Sequence, residues 1–231
     1  MPSGHGSAYV RADPVLAAGI GVRHGRAWPV RSASFRIGAP EPGKSVLGIL
    51  IDYPAQAAAL VDVLAGAAPP AYGELRVLGH DMATIRGRAA VRHRVGVARR
   101  TSGQLSGMRI RRLVEHGAWL ASRNRSDRRL LAASILDRLS LLPWADVPLR
   151  AAPDAVARRA RLAAAAVHQP DLLLLDSLLD GLPLRHVTAL ADAVRDLSRD
   201  SGVLLAGCDR EALLLACDDV LLLANGVLVS A

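Results

Sequence analysis

The stretch Val167-His168-Gln169-Pro170-Asp171-Leu172-Leu173-Leu174-Leu175-Asp176 decides the fold. Four consecutive leucines carry no polar alternation, so they do not suit a sheet with one solvated face. Fenced by Asp171 and Asp176, they read as a strand buried on both sides. Two other runs have the same character: Val46–Ile51, and Val203–Ala206 after a Ser-Gly turn. Helical patterns separate them, at Ala57–Leu64, Asp127–Leu142, Asp154–Val167 and Arg185–Ser198. Buried strands alternating with helices predict a parallel sheet covered by helices.

Outward from this core the pattern changes. Ser32–Ile37 and Gly73–Leu78 read as more exposed antiparallel strands, and Pro69-Pro70 ahead of Gly73 marks a turn. Val220–Val229 reads strand–turn–strand, with Asn225-Gly226 as the hairpin turn. Residues from about 100 to 150 are arginine-rich and lack buried-strand runs, which predicts a helical subdomain inserted into the core. Residues 1–15 are expected to be a flexible N-terminus and 16–231 a single domain.

The 231 residues are 51% hydrophobic, enough for a sizeable core, and carry a formal net charge of +8. Lys44 is the only lysine; arginine supplies the remaining positive charge. The clusters Arg109–Arg112 and Arg123–Arg129 are candidates for an anionic surface or for exposed helix faces. No basic block is interleaved with aromatics, so a nucleic-acid partner is not expected. The first residues lack an apolar signal-peptide core, and no run of uncharged apolar residues is long enough to span a membrane. A cytoplasmic chain is expected, touching the membrane only through a partner. Cys208 and Cys217 fit neither a disulfide framework nor a metal pair and are read as small buried residues. The histidines have no metal-ligand spacing, and no metal site is expected.

The order of elements resembles the nucleotide-binding domain of ABC-transporter ATP-binding subunits, over roughly residues 16 to 231. The stretch Val63-Leu64-Ala65-Gly66 through Gly79-His80-Asp81 is similar to the segment after that family's phosphate loop. Val167–Asp176 resembles its Walker B strand. Cys217-Asp218-Asp219-Val220 and Ala224-Asn225-Gly226 resemble its closing strands. The resemblance implies an α/β P-loop NTPase-like fold with a mainly parallel sheet, an N-terminal antiparallel β portion and the inserted helical subdomain.

Carried over residue by residue, the chemical positions fail. The phosphate loop falls on Ile51-Asp52-Tyr53-Pro54-Ala55-Gln56-Ala57-Ala58, with Ala57 at the lysine position and Ala58 at the magnesium-binding hydroxyl. Pro54 has no N–H to donate, and Asp52 adds negative charge. The magnesium-sensing glutamine falls at Arg100. The signature loop reads Ala152-Pro153-Asp154-Ala155-Val156. Walker B keeps Asp176, but the residue after it, a glutamate in the family, is Ser177, too weak a base to orient water. The following loop keeps Gly181-Leu182 and has Pro183 for aspartate; the switch histidine is Cys208.

A second motif argues the other way. Gly38-Ala39-Pro40-Glu41-Pro42-Gly43-Lys44-Ser45 matches G-x-x-x-x-G-K-S, and Gly38, Gly43, Lys44 and Ser45 are the alternative nucleotide-binding residues, with ATP and magnesium as cofactors. Such a loop must follow a buried strand and open a helix, whereas Val46–Ile51 reads as a strand. Leu105-Ser106-Gly107 is a signature fragment far from Walker B, and His24 lies near the family's adenine-stacking position.

The resemblance therefore implies a catalytically degenerate ABC subunit with no cofactor. Its partners would be a permease subunit and an active ATP-binding subunit, or a second copy of itself. An active ATPase using Gly38–Ser45 and a basic module for nucleic acid or anionic lipid are the alternatives.

Overall fold

The structure is a computed structural model, and it describes residues 13–38, 46–100, 105–121 and 124–230. Ten strands form one sheet in the order β5-β4-β1-β2-β10-β9-β3-β8-β7-β6. The parallel half holds β3 (Val46–Ile51), β6 (Val95–Arg99), β7 (Leu172–Asp176), β8 (Gly202–Gly207) and β9 (Asp219–Ala224). All five β7 residues and all six β8 residues are buried, as the unbroken apolar runs require. Each buried leucine there contributes about 1.5–3 kcal/mol relative to exposure.

The antiparallel half holds β1 (Val15–His24), β2 (Ala27–Ile37), β4 (Tyr72–Val77) and the short β5 (His80–Asp81). The expected strands at Ser32–Ile37 and Gly73–Leu78 exist, but they do not pair with each other. Each pairs antiparallel with β1, a ten-residue strand that the sequence reading did not single out. Register shifts between Ala17 and Ile20 and again between Ile20 and Val22 break its period of two, and Gly19 sits at φ +57. The last strand, β10 (Val227–Ser230), joins the halves: it runs antiparallel to β9 and parallel to β2. Asn225 and Gly226, at φ 51 and 80, make the expected hairpin turn.

The helices are α1 (Pro54–Leu64), α2 (Ile85–Val91), α3 (Ile110–Gly117), α4 (Arg125–Arg138), α5 (Asp154–Ala166), α6 (Leu184–Leu197) and α7 (Arg210–Ala216). Between β6 and β7 the described chain runs through α3, α4, short 3-10 turns and α5. A bridge between Arg109 and Pro148 draws the two ends of the α3–α4 segment together. The buried residues form two clusters. One joins α3, α4, α5 and α6 to one face of the sheet; the other joins the antiparallel half to α1 and the opposite face. Among the described residues, no helix is long and apolar enough to cross a membrane.

Candidate functional site

In a parallel sheet the carboxyl ends of the strands are where ligands gather, because helix N-termini and loops converge there. Here β3, β6 and β7 deliver Asp52, Arg100 and Asp176 to that edge, and β8 delivers Cys208. A cleft of about 410 Å³ opens between them, lined by Pro54, Ala55, Ala58, Arg99, Arg100, Asp176 and Ser177.

The turn from β3 into α1 is only Asp52 and Tyr53, and the helix begins at Pro54 rather than Ala57. A proline at the first helical position is favoured, since its missing N–H would be unpaired anyway. The consequence is that residues 54–58, expected as loop, are already helical. Gln56 is fully buried, and its Oε1 accepts from the Asp52 N–H (2.8 Å) and the Tyr53 N–H (3.3 Å). These are the amides that a phosphate cradle would offer outward. Here the chain's own carboxamide takes them. The Asp52 carboxylate is turned away as well, accepting from the Asn225 N–H at 2.8 Å. Ala57 is buried under the helix and Ala58 faces the cleft, so neither brings a cation or hydroxyl.

Asp176 is 8% exposed, and burial pushes its carboxyl above the usual range, with the Arg99 guanidinium opposing. Arg99 reaches it at 3.0 Å and reaches Asp62, on α1, at 2.5 Å. Sequence reasoning missed Arg99, although the β6–β7 register sets it directly opposite Asp176. It occupies the space beside Asp176 with an internal cation. Arg100 donates its backbone N–H to the Asp176 carbonyl (2.9 Å) while its side chain lines the cleft. Ser177 is buried in the left-handed conformation, at φ 54.

Asp154 does not line this cleft. It opens α5 and binds Arg158 through Oδ2, at 2.6 and 3.0 Å, which holds its carboxyl below the usual range. Arg158 itself is 2% exposed and donates onward to the carbonyls of Leu178 (3.0 Å) and Asp180 (2.7 Å). The Asp180 carboxylate in turn accepts the N–H of Cys208 (3.1 Å) and of Asp209 (3.3 Å). The signature-equivalent helix, the loop after β7 and the turn after β8 are thus tied together by the protein's own side chains.

Cys208 is exposed, not buried as expected, because it lies just beyond the last apolar residue of β8; Cys217 is half-buried. Of the alternative phosphate loop, Gly43, Lys44 and Ser45 lie outside the described residues, while the residues that follow run as β3 rather than a helix. Among the described residues, no three His, Cys, Asp or Glu side chains stand together as a metal site.

This sheet order and this cleft define a class of protein: the fold is that of the ATP-binding cassette of ABC transporters. The crystal structure of CbiO1 from Clostridium perfringens, part of the ABC transporter complex CbiONQ, matches at a TM-score of 0.80. The match is 18% identical and covers 94% of this chain and 87% of that one. A nucleotide-free ATP-binding cassette from an ABC transporter matches at 0.78, with 15% identity, over 94% and 90%. The sequence likeness agrees. A putative ABC transporter ATP-binding protein of Methanopyrus kandleri is 31% identical over 144 residues, 62% of this chain and 53% of that protein. The methionine import ATP-binding protein MetN 2 of Burkholderia mallei is 25% identical over 188 residues, 80% of this chain and 48% of its own. The chain spans about half the length of these curated relatives. No family model matches it.

Proposed function

We propose that the chain is a non-hydrolysing ABC cassette that acts through its contact surfaces. It would pair with an active ATP-binding subunit, or with a second copy of itself, and hold a permease at the cytoplasmic face of the membrane. The observation that carries this reading is the interior of the cleft. Gln56 consumes the amides of the β3–α1 turn, and Arg99 occupies Asp176. A triphosphate would meet neither free N–H groups nor a lysine there, and magnesium would have to displace a guanidinium from a buried carboxylate. Ser177 supplies no base for water attack. The helix register of residues 54–58 supports the same reading, since no loop is left to wrap an anion. A permease partner is supported by the likeness to CbiO1, itself part of a transporter complex.

Calorimetry with Mg-ATP on the purified chain tests this. No heat of binding up to millimolar nucleotide is expected, in the parent and in Lys44→Ala alike. Tight binding that disappears in Lys44→Ala would overturn the reading and make Gly38–Ser45 the phosphate loop.

A further inference from the structure

A second cleft, of about 320 Å³, lies between β6, α3 and α5, lined chiefly by Val97, Leu105, Leu113, His116, Arg161 and Ala164. Its walls close by direct backbone contact. A Cβ on Gly117 would fall 2.1 Å from the Ala164 carbonyl, and one on Gly96 would fall 2.1 Å from the Ala165 carbonyl. Thus α3 and β6 both sit hard against α5, and the space between them stays open. Its volume is at the low end of the roughly 300–1,000 Å³ of small-molecule pockets.

Within these aliphatic walls sits a guanidinium with no hydrogen bonds. Nε and Nη1 of Arg161 are shut off from solvent and have no hydrogen-bond partner among the described residues. Burial depresses its basicity. The one acid acting on it, Asp154, is held by two bonds to Arg158. The neighbouring Arg99 is committed to Asp62 and Asp176. A planar cation of this kind, held dry and unsatisfied, is matched by a carboxylate in the forked, two-bond geometry.

We propose that this cleft is a binding site for an aliphatic monocarboxylate, whose head pairs with Arg161 while its chain lies on Val97, Leu113 and Ala164, with His116 beside it. The aliphatic walls select an apolar body, and the single unsatisfied guanidinium selects one negative charge rather than a phosphate ester. The site is independent of the nucleotide cleft: it stands or falls without reference to ATP.

Octanoate is the probe, with octanol as the uncharged control, read by thermal shift and calorimetry on the whole chain. Octanoate should bind saturably at one site and raise the unfolding midpoint, whereas octanol should not. Arg161→Met should weaken octanoate at least roughly tenfold and leave the free chain as stable as before or more so, since a dry unsatisfied charge is removed. If that variant does not fold, Ala164→Leu, which fills the aliphatic wall and keeps the charge, should lose octanoate instead. Absence of saturable binding, equal binding of octanol, or undiminished binding to Arg161→Met would each overturn the proposal. So would stabilisation by a capped Leu-Glu-Leu peptide but not by octanoate, which would assign the guanidinium to a protein partner.

Discussion

Two cysteines nine positions apart in the chain have different chemistry because of where the strand ends. Cys208 follows β8 at the surface, and its thiol is pushed up by partial burial and by the nearby charges of Asp180 and Asp52. Cys217 packs beside Gly48 of β3, where an added Cβ would lie 2.9 Å from its Sγ, and burial pushes it up to about 12. Since the thiolate is the reacting species, alkylation at mildly basic pH should modify Cys208 alone and slowly. Cys217 should react only after unfolding. Asp180→Asn removes one of the charges that raise the Cys208 thiol, so it should speed that alkylation. Peptide mapping by mass spectrometry reads both outcomes; labelling of native Cys217 would contradict the packing around Gly48.

At the scale of elements, Arg158 is the residue on which three segments converge. It joins the first turn of α5 to the carbonyls of Leu178 and Asp180 across a buried gap. Arg158→Met keeps the aliphatic bulk but leaves two buried carbonyls without a donor. That should cost roughly 2–4 kcal/mol in urea unfolding, at about 1–3 kcal/mol for each unsatisfied group with partial relief by relaxation. Arg158→Lys should recover only part of this, because one ammonium cannot span the carboxylate and both carbonyls. Nothing in the sequence marked Arg158, since it is one arginine among several on an alanine-rich helix. The strands it serves were legible: β3, β7 and β8 are unbroken apolar runs, and burial on both faces leaves no other reading of four leucines. Bulged β1, short α2 and α7, and β6 were not legible. In β6, Gly96 interrupts the run because α5 approaches too closely for a side chain. For the cleft, sequence spacing marked the positions without lysine or glutamate, but Gln56 and Arg99 became visible only once the α1 start and the β6–β7 register were known.

At the scale of the whole molecule, acid should test the packing of α5 against the sheet. His168 lies just beyond α5 on the way into β7, and burial holds its imidazole below the ordinary 6.5, with His93 acting in the same direction. The unfolded chain therefore takes up the proton first. As pH falls below 6.5 toward the lower folded value, the unfolded state binds more protons and stability declines; above 6.5 the full contribution is present. Asp176 works in the opposite sense: its raised carboxyl means that protonation relieves a cost, from its folded value down to 3.8. Asp154, held low by Arg158, withdraws its support only below 3.8. The first loss on acidification thus belongs to His168. Urea midpoints measured across roughly pH 5 to 8, the range in which histidine titrates, should fall toward acid in the parent. His168→Gln, which cannot titrate, should flatten that fall while leaving the response below the carboxylate range unchanged. An identical slope in parent and variant would place the acid sensitivity elsewhere and remove His168 from the joint between the helical segment and β7.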